Sequence, residues 1–246
     1  MNNIKKLKVV AIIQARWNSS RFPGKIMQIL ENKTVLGHVI ENLKETKLVD
    51  EVCCAIPNSD DCNIIEVEAK KYGSTIVRGD EYNVLSRFYK AAKFTNADLI
   101  VRVTSDCPLT NPKINYQVIN NLLVKDADYS VNNMPPSFPH GLDCEVFKFK
   151  TLKNCFENAK SEFEKEHVTP WIRNNSNLIK ANLQCNIRDC HNIRLTLDYS
   201  EDLIFLKKIF KLVDIDKSRN NLDYLVKVIN KNKSLLSINN KYKRNY

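Results

Sequence analysis

Glycine is scarce in this chain, with five residues in 246, and none falls in the arrangements that mark the commonest phosphate-binding loops. Ser19 stands where a Walker A loop would have its first glycine, and Lys25 is followed by Ile26 instead of Ser or Thr. No GxGxxG occurs, and no CxxC pair occurs among the eight cysteines. Cys53 and Cys54 are adjacent inside an apolar run, while Cys62, Cys107, Cys144 and Cys155 share no spacing. Cys185, Cys190 and His191 have no evident fourth ligand and fit no finger pattern. A disulfide framework and a zinc finger are thereby excluded, and the cysteines read as reduced, small hydrophobes. Long apolar runs are missing too. Lys5, Lys6 and Lys8 precede an apolar stretch from Val9 to Ile13, but Gln14 and Arg16 end it too early for a signal peptide, and nothing later is long enough to span a membrane. The expected location is the cytoplasm.

What the chain does carry is an ordinary globular balance, 43% hydrophobic and 27% charged, which argues against long disorder. The formal charge of +10 is spread through most segments, and the only dense basic run is Lys241-Tyr242-Lys243-Arg244. A scattered excess describes a solvated surface with a local focus for phosphate-bearing substrates, not a nucleic-acid-binding face. The length suits one domain over residues 1–230 with an irregular insertion at about 132–175, and a basic, Asn- and Lys-rich tail over 231–246 that should fray.

Apolar runs and helical periods alternate along the first two thirds. Lys8 to Gln14, Glu51 to Ile56, Thr75 to Arg78, Asp98 to Thr104 and Asp128 to Val131 read as strands. Between them, Leu36, Val39, Ile40 and Leu43 keep a helical spacing behind a Thr34 cap. A second helix runs from Ser59 or Asp60 to Gly73, a third turns Val84, Leu85, Phe88 and Ala92 inward, and a fourth covers Lys113 to Val124. That order predicts right-handed βαβ crossovers, a Rossmann-like, mostly parallel sheet in three α/β/α layers, and ligands at the carboxyl ends of the strands. After Asn132 the pattern loosens. Leu142 to Phe147 alternates, which would set Asp143 and Glu145 on one strand face. Helices are expected near 151–159, 164–172, 201–213 and 221–229, with a strand at Ile193 to Leu197.

Gln14-Ala15-Arg16-Trp17-Asn18-Ser19-Ser20-Arg21-Phe22-Pro23-Gly24-Lys25 follows the first strand. Three cations, two hydroxyls and a glycine at a strand's carboxyl end suit a triphosphate cradle: backbone N–H groups and the hydroxyls of Ser19 and Ser20 donate to phosphate oxygens, and Arg16, Arg21 and Lys25 balance their charge. A solvated basic loop is the other reading of the same residues.

The segment IIQARWNSSRFPGKIM resembles the opening of the CMP-KDO synthetase and acylneuraminate cytidylyltransferase superfamily, closest to the branch named after spore coat polysaccharide biosynthesis protein F. The likeness continues through Val77-Arg78-Gly79, Val84 to Phe88, Ile100 to Leu109, Phe138 to Phe147, Glu166 to Pro170 and Arg194 to Asp202, covering the chain to about residue 213. Trp17-Asn18 replaces the usual Met-Gly, Ser105 a frequent Gly, and Tyr199-Ser200 the usual Thr-Pro; Asn18 is expected to tolerate a left-handed turn in the glycine's place. The resemblance implies a nucleotide-diphospho-sugar transferase type of fold with a β-containing insertion. It also implies a cytidylyltransferase that joins CTP to an acidic sugar of the 2-keto-3-deoxy type, or a similar small acceptor, releases pyrophosphate, and serves cell-surface polysaccharide synthesis.

The same resemblance assigns Mg²⁺ to Asp106 and Asp198, which both end strands in the sequence reading, and it places Arg78 and Arg87 near the cytidine. Without it, Asp106 is a loop cap, Asp198 a helix N-terminal charge and Arg87 an exposed helix cation. His140, Asp143 and Glu145 fall in the insertion that faces the acceptor in related enzymes, and that insertion also makes a homodimer contact. Asp143 and Glu145 are suited to acceptor hydroxyls or a second metal, or are simply a solvated edge. His167 fits the acceptor side or a packed position, and Arg173 is suited to an acceptor carboxylate. Two other enzyme classes share the pattern. A sugar-phosphate nucleotidyltransferase usually opens on a glycine-rich loop, and a nucleotide-sugar-dependent glycosyltransferase often carries DxD, which Asp143-Cys144-Glu145 only loosely imitates.

Overall fold

A seven-stranded sheet in the order β5-β4-β1-β6-β8-β7-β9 forms the centre of the protein, seen in a computed structural model that describes residues 6–242 and residue 244. Lys5 of the N-terminal basic group and Lys243 of the C-terminal run lie outside the described residues. The strands are β1 (Val9–Gln14), β4 (Glu51–Pro57), β5 (Thr75–Gly79), β6 (Leu99–Thr104), β7 (Tyr129–Val131), β8 (Glu145–Lys148) and β9 (Lys180–Asn182); β2 (Ile29–Leu30) and β3 (Lys33–Thr34) make a separate small hairpin. β1 pairs parallel with both β4 and β6, β4 pairs parallel with β5, and β8 runs antiparallel between β6 and β7.

Alternation along β1 explains the three layers. Val9, Ala11 and Ile13 enter one core with α1 (Val35–Lys44), α2 (Asn63–Lys71), α4 (Pro112–Val124) and α8 (Ser200–Leu212). Val10 and Ile12 enter a second core on the opposite face with α3 (Val84–Phe94) and α5 (Phe149–Asn158). A strand buried on both faces must be apolar throughout, which is why this one reads as a continuous run. Thr34 caps α1 by accepting from the Gly37 N–H, as its position predicts, and Asn83 and Asn111 cap α3 and α4 in the same way. The remaining helices are α6 (Glu162–His167), α7 (Pro170–Asn174), α9 (Ile215–Asn220) and α10 (Leu222–Lys231).

Three expectations are corrected. β8 begins only at Glu145, because Asn132 captures the Cys144 N–H at 2.9 Å and the Leu142 carbonyl at 2.8 Å, so Asp143 lies outside the strand and shares no strand face with Glu145. The helix read over 164–172 is two helices, broken where Val168 takes φ 67° and Pro170 opens the second. Residues 193–197 form no strand, but are held in extended form by two backbone hydrogen bonds to His140 in one loop and one to Asp106 in another. Most of the tail is also less loose than its composition suggests. A 3₁₀ helix at Lys233–Ile238 sets Leu235, Leu236 and Ile238 against the core, and Tyr242 stacks on Tyr199. Among the described residues no helix is long and apolar enough to cross a membrane.

Candidate active site

The sheet's order reverses between β1 and β6: β4 and β5 extend to one side, and β8, β7 and β9 to the other. Loops leaving two such strands diverge and open a crevice at their carboxyl ends. A cavity of about 290 Å³ occupies it. Gln14 lines it from the end of β1, Ala15, Arg16, Ser19, Ser20, Arg21 and Lys25 from the segment that follows, Asp106 from the loop after β6, Arg87 from α3, and Glu166 and His167 from α6. Nine of the ten residues expected at the nucleotide are therefore brought together. Arg78 is the exception. Its guanidinium faces the other way, bound to Glu66 at 2.8 Å, Asn63 and the Ser59 carbonyl, and it does not line the cavity.

The loop's shape comes from Gly24, whose φ of 67° lies in the left-handed region. Both the Ser19 and Gly24 N–H groups donate to the Trp17 carbonyl at 3.0 Å, and the Trp17 indole packs over Gly24 so closely that a Cβ there would stand 3.0 Å from the ring. The left-handed turn expected at Asn18 is thus supplied by Gly24, while the Asn18 side chain donates to Asp61.

Asp106 and Asp198, 92 positions apart in the chain, meet through the backbone. The Leu197 N–H donates to the Asp106 carbonyl at 2.9 Å, and the Leu195 N–H to the His140 carbonyl at 2.7 Å. The extended 193–197 segment thus bridges the loop after β6 and the insertion, and it delivers Asp198 one residue beyond its anchor. Lys25 Nζ then lies 2.6 Å from Asp106 Oδ2 and 2.9 Å from Asp198 Oδ1, so the sum of the two contacts, 5.5 Å, is the largest separation those oxygens have. Arg21 reaches Asp198 Oδ1 at 2.6 Å, and Arg194, itself fixed by the wholly buried Asp202, holds Asp198 Oδ2 at 2.9 Å.

Burial by itself would raise the carboxyl of Asp106, but attraction to Lys25 and its hydrogen bond prevail and bring it down to about 2. For Asp198 burial and the nearby Asp106 push up, yet Lys25 and Arg21 still hold it below the ordinary carboxylate value. Lys25, squeezed by burial in the opposite sense, is raised by the two acids. At neutral pH the group is two carboxylates around one ammonium. Two carboxylates this close are the residues of the site that could hold a divalent cation.

Gly141 maintains the bridge. At φ 103°, a Cβ added to it would lie 2.6 Å from the Thr196 nitrogen and 2.7 Å from the Leu195 carbonyl carbon, both backbone atoms unable to yield cheaply. Gly141→Ala is expected to pull Asp198 from Asp106, cutting turnover roughly a hundredfold or more on the scale of a misplaced catalytic group, while near-ultraviolet circular dichroism stays native. Turnover within twofold of the parent would show that this contact does not position Asp198.

The insertion residues divide. His140 lines a second cavity of about 400 Å³ beside Asp198, its Nδ1 facing Arg194 at 3.1 Å, and burial lowers its pKa. Glu145 is buried and fully engaged: Arg102, Arg173, Tyr129 and Thr169 all bond its carboxylate, and Arg102 also donates to Gln14 Oε1 at 2.9 Å. Arg173 is therefore occupied by Glu145. Asp143 accepts from Asn133, the Gly141 N–H and Arg244. Arg87 is 1% exposed, not an exposed helix cation; it donates to the Asp80 and Glu81 carbonyls, and burial chiefly lowers its pKa to about 10. His167 ends α6 on the cavity wall, its ring 4.5 Å from Phe163, and burial lowers its pKa too.

Sequence reasoning missed Arg194, Asp202, Arg102 and Tyr242 as parts of this assembly. Arg194 and Asp202 had a signal, since they stand four residues either side of Asp198. Tyr242 had none.

Residues 10–241 match the cytidylyltransferase family. A cytidylyltransferase structure from Leptospira borgpetersenii superposes with a TM-score of 0.87 at 30% identity, covering 98% of this chain and 99% of that one. Spore coat polysaccharide biosynthesis protein SpsF of Bacillus subtilis is 28% identical over 211 residues, 82% of this chain and 86% of that protein. A 3-deoxy-manno-octulosonate cytidylyltransferase of Trichlorobacter lovleyi is 35% identical over 118 residues, 48% of this chain and 46% of the relative.

Proposed function

The chain belongs to the cytidylyltransferase family, and from that premise we propose that it transfers CMP from CTP to an acidic sugar of the 2-keto-3-deoxy type, releasing pyrophosphate, in cell-surface polysaccharide synthesis. The observation that carries this reading is the pair Asp106 and Asp198 gathered around Lys25 at the rim of a cavity lined by Arg16, Arg21, Ser19 and Ser20. The relatives named above for spore coat polysaccharide and for 3-deoxy-manno-octulosonate support the acceptor class.

In this proposal the triphosphate lies along the loop after β1, with Arg16, Arg21 and Lys25 against its oxygens and the Ser19 and Ser20 hydroxyls donating to it. Gln14, Ala15 and Arg87 border the nucleoside end. Asp106 and Asp198 would hold Mg²⁺, and the donor set suits it. Among the described residues no three His, Cys, Asp or Glu side chains gather to cage an ion unaided, whereas two carboxylates with phosphate oxygens and water are the usual company of this cation. The ion's chemistry there is to neutralise charge on the α-phosphate and the leaving group. Lys25 exchanges its carboxylate partners for phosphate oxygens as the nucleotide enters.

The acceptor's hydroxyl oxygen forms a bond to the α-phosphorus, and the bond from that phosphorus to its β-bridging oxygen breaks. The electron pair leaves with pyrophosphate, and the hydroxyl proton passes to solvent. Positioning and charge neutralisation by Arg21 and Lys25 supply the protein's share of the catalysis. A homodimer is part of the proposal, on the resemblance alone. The glycosyltransferase alternative loses its metal motif, because Glu145 is committed to Arg102 and Arg173.

A pyrophosphate-release screen crossing four nucleoside triphosphates with a panel of acidic sugars in Mg²⁺ tests the reading. CTP with a 2-keto-3-deoxy acid is expected to react fastest. Reaction with purine triphosphates only would overturn the base assignment, and release without an acid would overturn the acceptor.

A further inference from the structure

Of the eight cysteines, all among the described residues, Cys185 alone is not buried. Its Sγ lies 3.4 Å from the Sγ of Cys190, which is 1% exposed. The chain between them builds this contact. Asn186, Arg188 and Asp189 are exposed, and Asp189 takes φ 58°, a left-handed turn that brings Cys190 back to open the 3₁₀ helix Cys190–Asn192. Ser137 tethers both cysteines. Its Oγ accepts from the Cys185 N–H at 2.9 Å, and its carbonyl accepts from the Cys190 S–H at 3.1 Å. The Ile187 N–H donates to Cys185 Sγ at 3.4 Å and fixes that sulfur from the other side. Two thiols are thus held face to face, one open to solutes and one behind it. The Cys190 carbonyl accepts from the Ile193 N–H at 3.1 Å, so the pair stands at the root of the 193–197 segment that leads to Asp198.

We propose that Cys185 and Cys190 are a dithiol modification site, which a small-molecule disulfide oxidises to a reversible Cys185–Cys190 bond. The site goes beyond the transfer reading and does not depend on it; the reduced cysteines read from the sequence are its resting state. Cys185 opens the reaction, because burial chiefly pushes the Cys190 thiol up to about 12 and leaves little thiolate there. Cys185 gives its proton to solvent and its sulfur attacks one sulfur of the oxidant. The oxidant's S–S bond breaks, a mixed disulfide forms on Cys185, and one thiolate leaves. The hydrogen bond and charge of Cys185 also raise the Cys190 thiol, and both influences end once Cys185 carries the mixed disulfide. Cys190 then attacks Cys185 Sγ, and its proton departs with the second thiol. The two protein thiols give up two electrons and two protons, and the oxidant becomes two thiols. Bonded sulfurs stand about 2 Å apart, so a contact of 3.4 Å closes by a small movement of the exposed turn.

In the test the full chain is held with glutathione disulfide at neutral pH, its remaining thiols are blocked with iodoacetamide in denaturant, and its tryptic peptides are weighed by mass spectrometry. Cleavage after Arg188 puts the two cysteines on separate peptides, 181–188 and 189–194. The bond is therefore read as a joined pair, about 2 Da below the sum of the two thiol peptides, which dithiothreitol separates. The parent is expected to give this pair as its main product. Cys190→Ser should instead keep glutathione on Cys185, about tenfold more of it than the parent holds. Cys185→Ser should leave the buried Cys190 unmodified in the native chain. A parent that keeps glutathione on Cys185 with Cys190 still free, or that leaves both thiols to iodoacetamide, would overturn the site. So would a Cys185→Ser chain whose Cys190 takes up glutathione as fast as the parent's pair closes. The parent's own products decide the matter even where Cys190→Ser does not fold.

Discussion

Asp106→Asn should lower pyrophosphate release from CTP by about a hundredfold to a thousandfold while the protein folds as a native domain. In the proposed mechanism the substitution removes one of the two carboxylates that would hold the ion, and single electrostatic contributions of this kind reach about 10²–10³ in rate. Asn matches the volume of Asp and keeps a hydrogen bond to Lys25, so shape is preserved and charge alone is changed. The pH dependence carries a second mark. With its carboxyl held near 2 by Lys25 against the opposing push of burial, Asp106 is ionised at neutral pH in the protein without nucleotide. A carboxyl depressed in the folded state contributes stability that is complete above its unfolded value of 3.8 and is lost as pH falls toward about 2. Melting curves of the parent should fall steeply across that interval, and those of Asp106→Asn less so. A mutant with more than a tenth of parental turnover would contradict the assigned role.

The second large effect concerns stability. Glu145→Gln is expected to cost about 3–5 kcal/mol, because it leaves Arg102 and Arg173 facing each other without their shared counter-charge. For a chain of this length that corresponds to a fall in melting temperature of roughly 10 °C. Burial alone would raise the Glu145 carboxyl, yet the two guanidinium groups hold it far below the ordinary range, so the loss appears at neutral pH and not only in acid. Activity should suffer as well, since Arg102 is the group that fixes Gln14 on the cavity wall. Arg78→Ala supplies the contrast, its ion pair with Glu66 being partly open to solvent and worth only about 0–1 kcal/mol. A melting temperature for Glu145→Gln within 1–2 °C of the parent would mean that the cluster is not the strut described.

These two residues also show what a sequence reveals of such a site. Asp106 is legible because a buried parallel strand leaves a plain trace, a continuous apolar run, and the rule that ligands gather at strand ends then points to its loop. Asp198 lies near Asp106, both in contact with Lys25, but the strand expected to deliver it does not form. The apolar alternation of residues 193–197 suggests a strand, but the segment is extended only because the His140 and Asp106 loops grip its backbone, a long-range contact that no local pattern encodes. Glu145 reads, by the same periodicity, as an acid sharing a face with Asp143. Its burial depends on Arg102 and Arg173, partners 43 and 28 positions away, and a sequence does not say which charges will find each other. The glycine that shapes the loop after β1 is visible, yet local rules give the left-handed turn to Asn18; Trp17 packs over Gly24 instead. The tail is the least legible element, because its composition is that of a loose end and its order comes from stacking on Tyr199.

Anomalous diffraction from crystals grown with CTP and Mn²⁺ in place of Mg²⁺ tests the central claim most directly. The predicted result is a manganese peak between the carboxylates of Asp106 and Asp198, with Lys25 withdrawn from them onto the triphosphate beside Arg16 and Arg21. Lys25 still seated between the two acids, with the ion bound elsewhere, would contradict it.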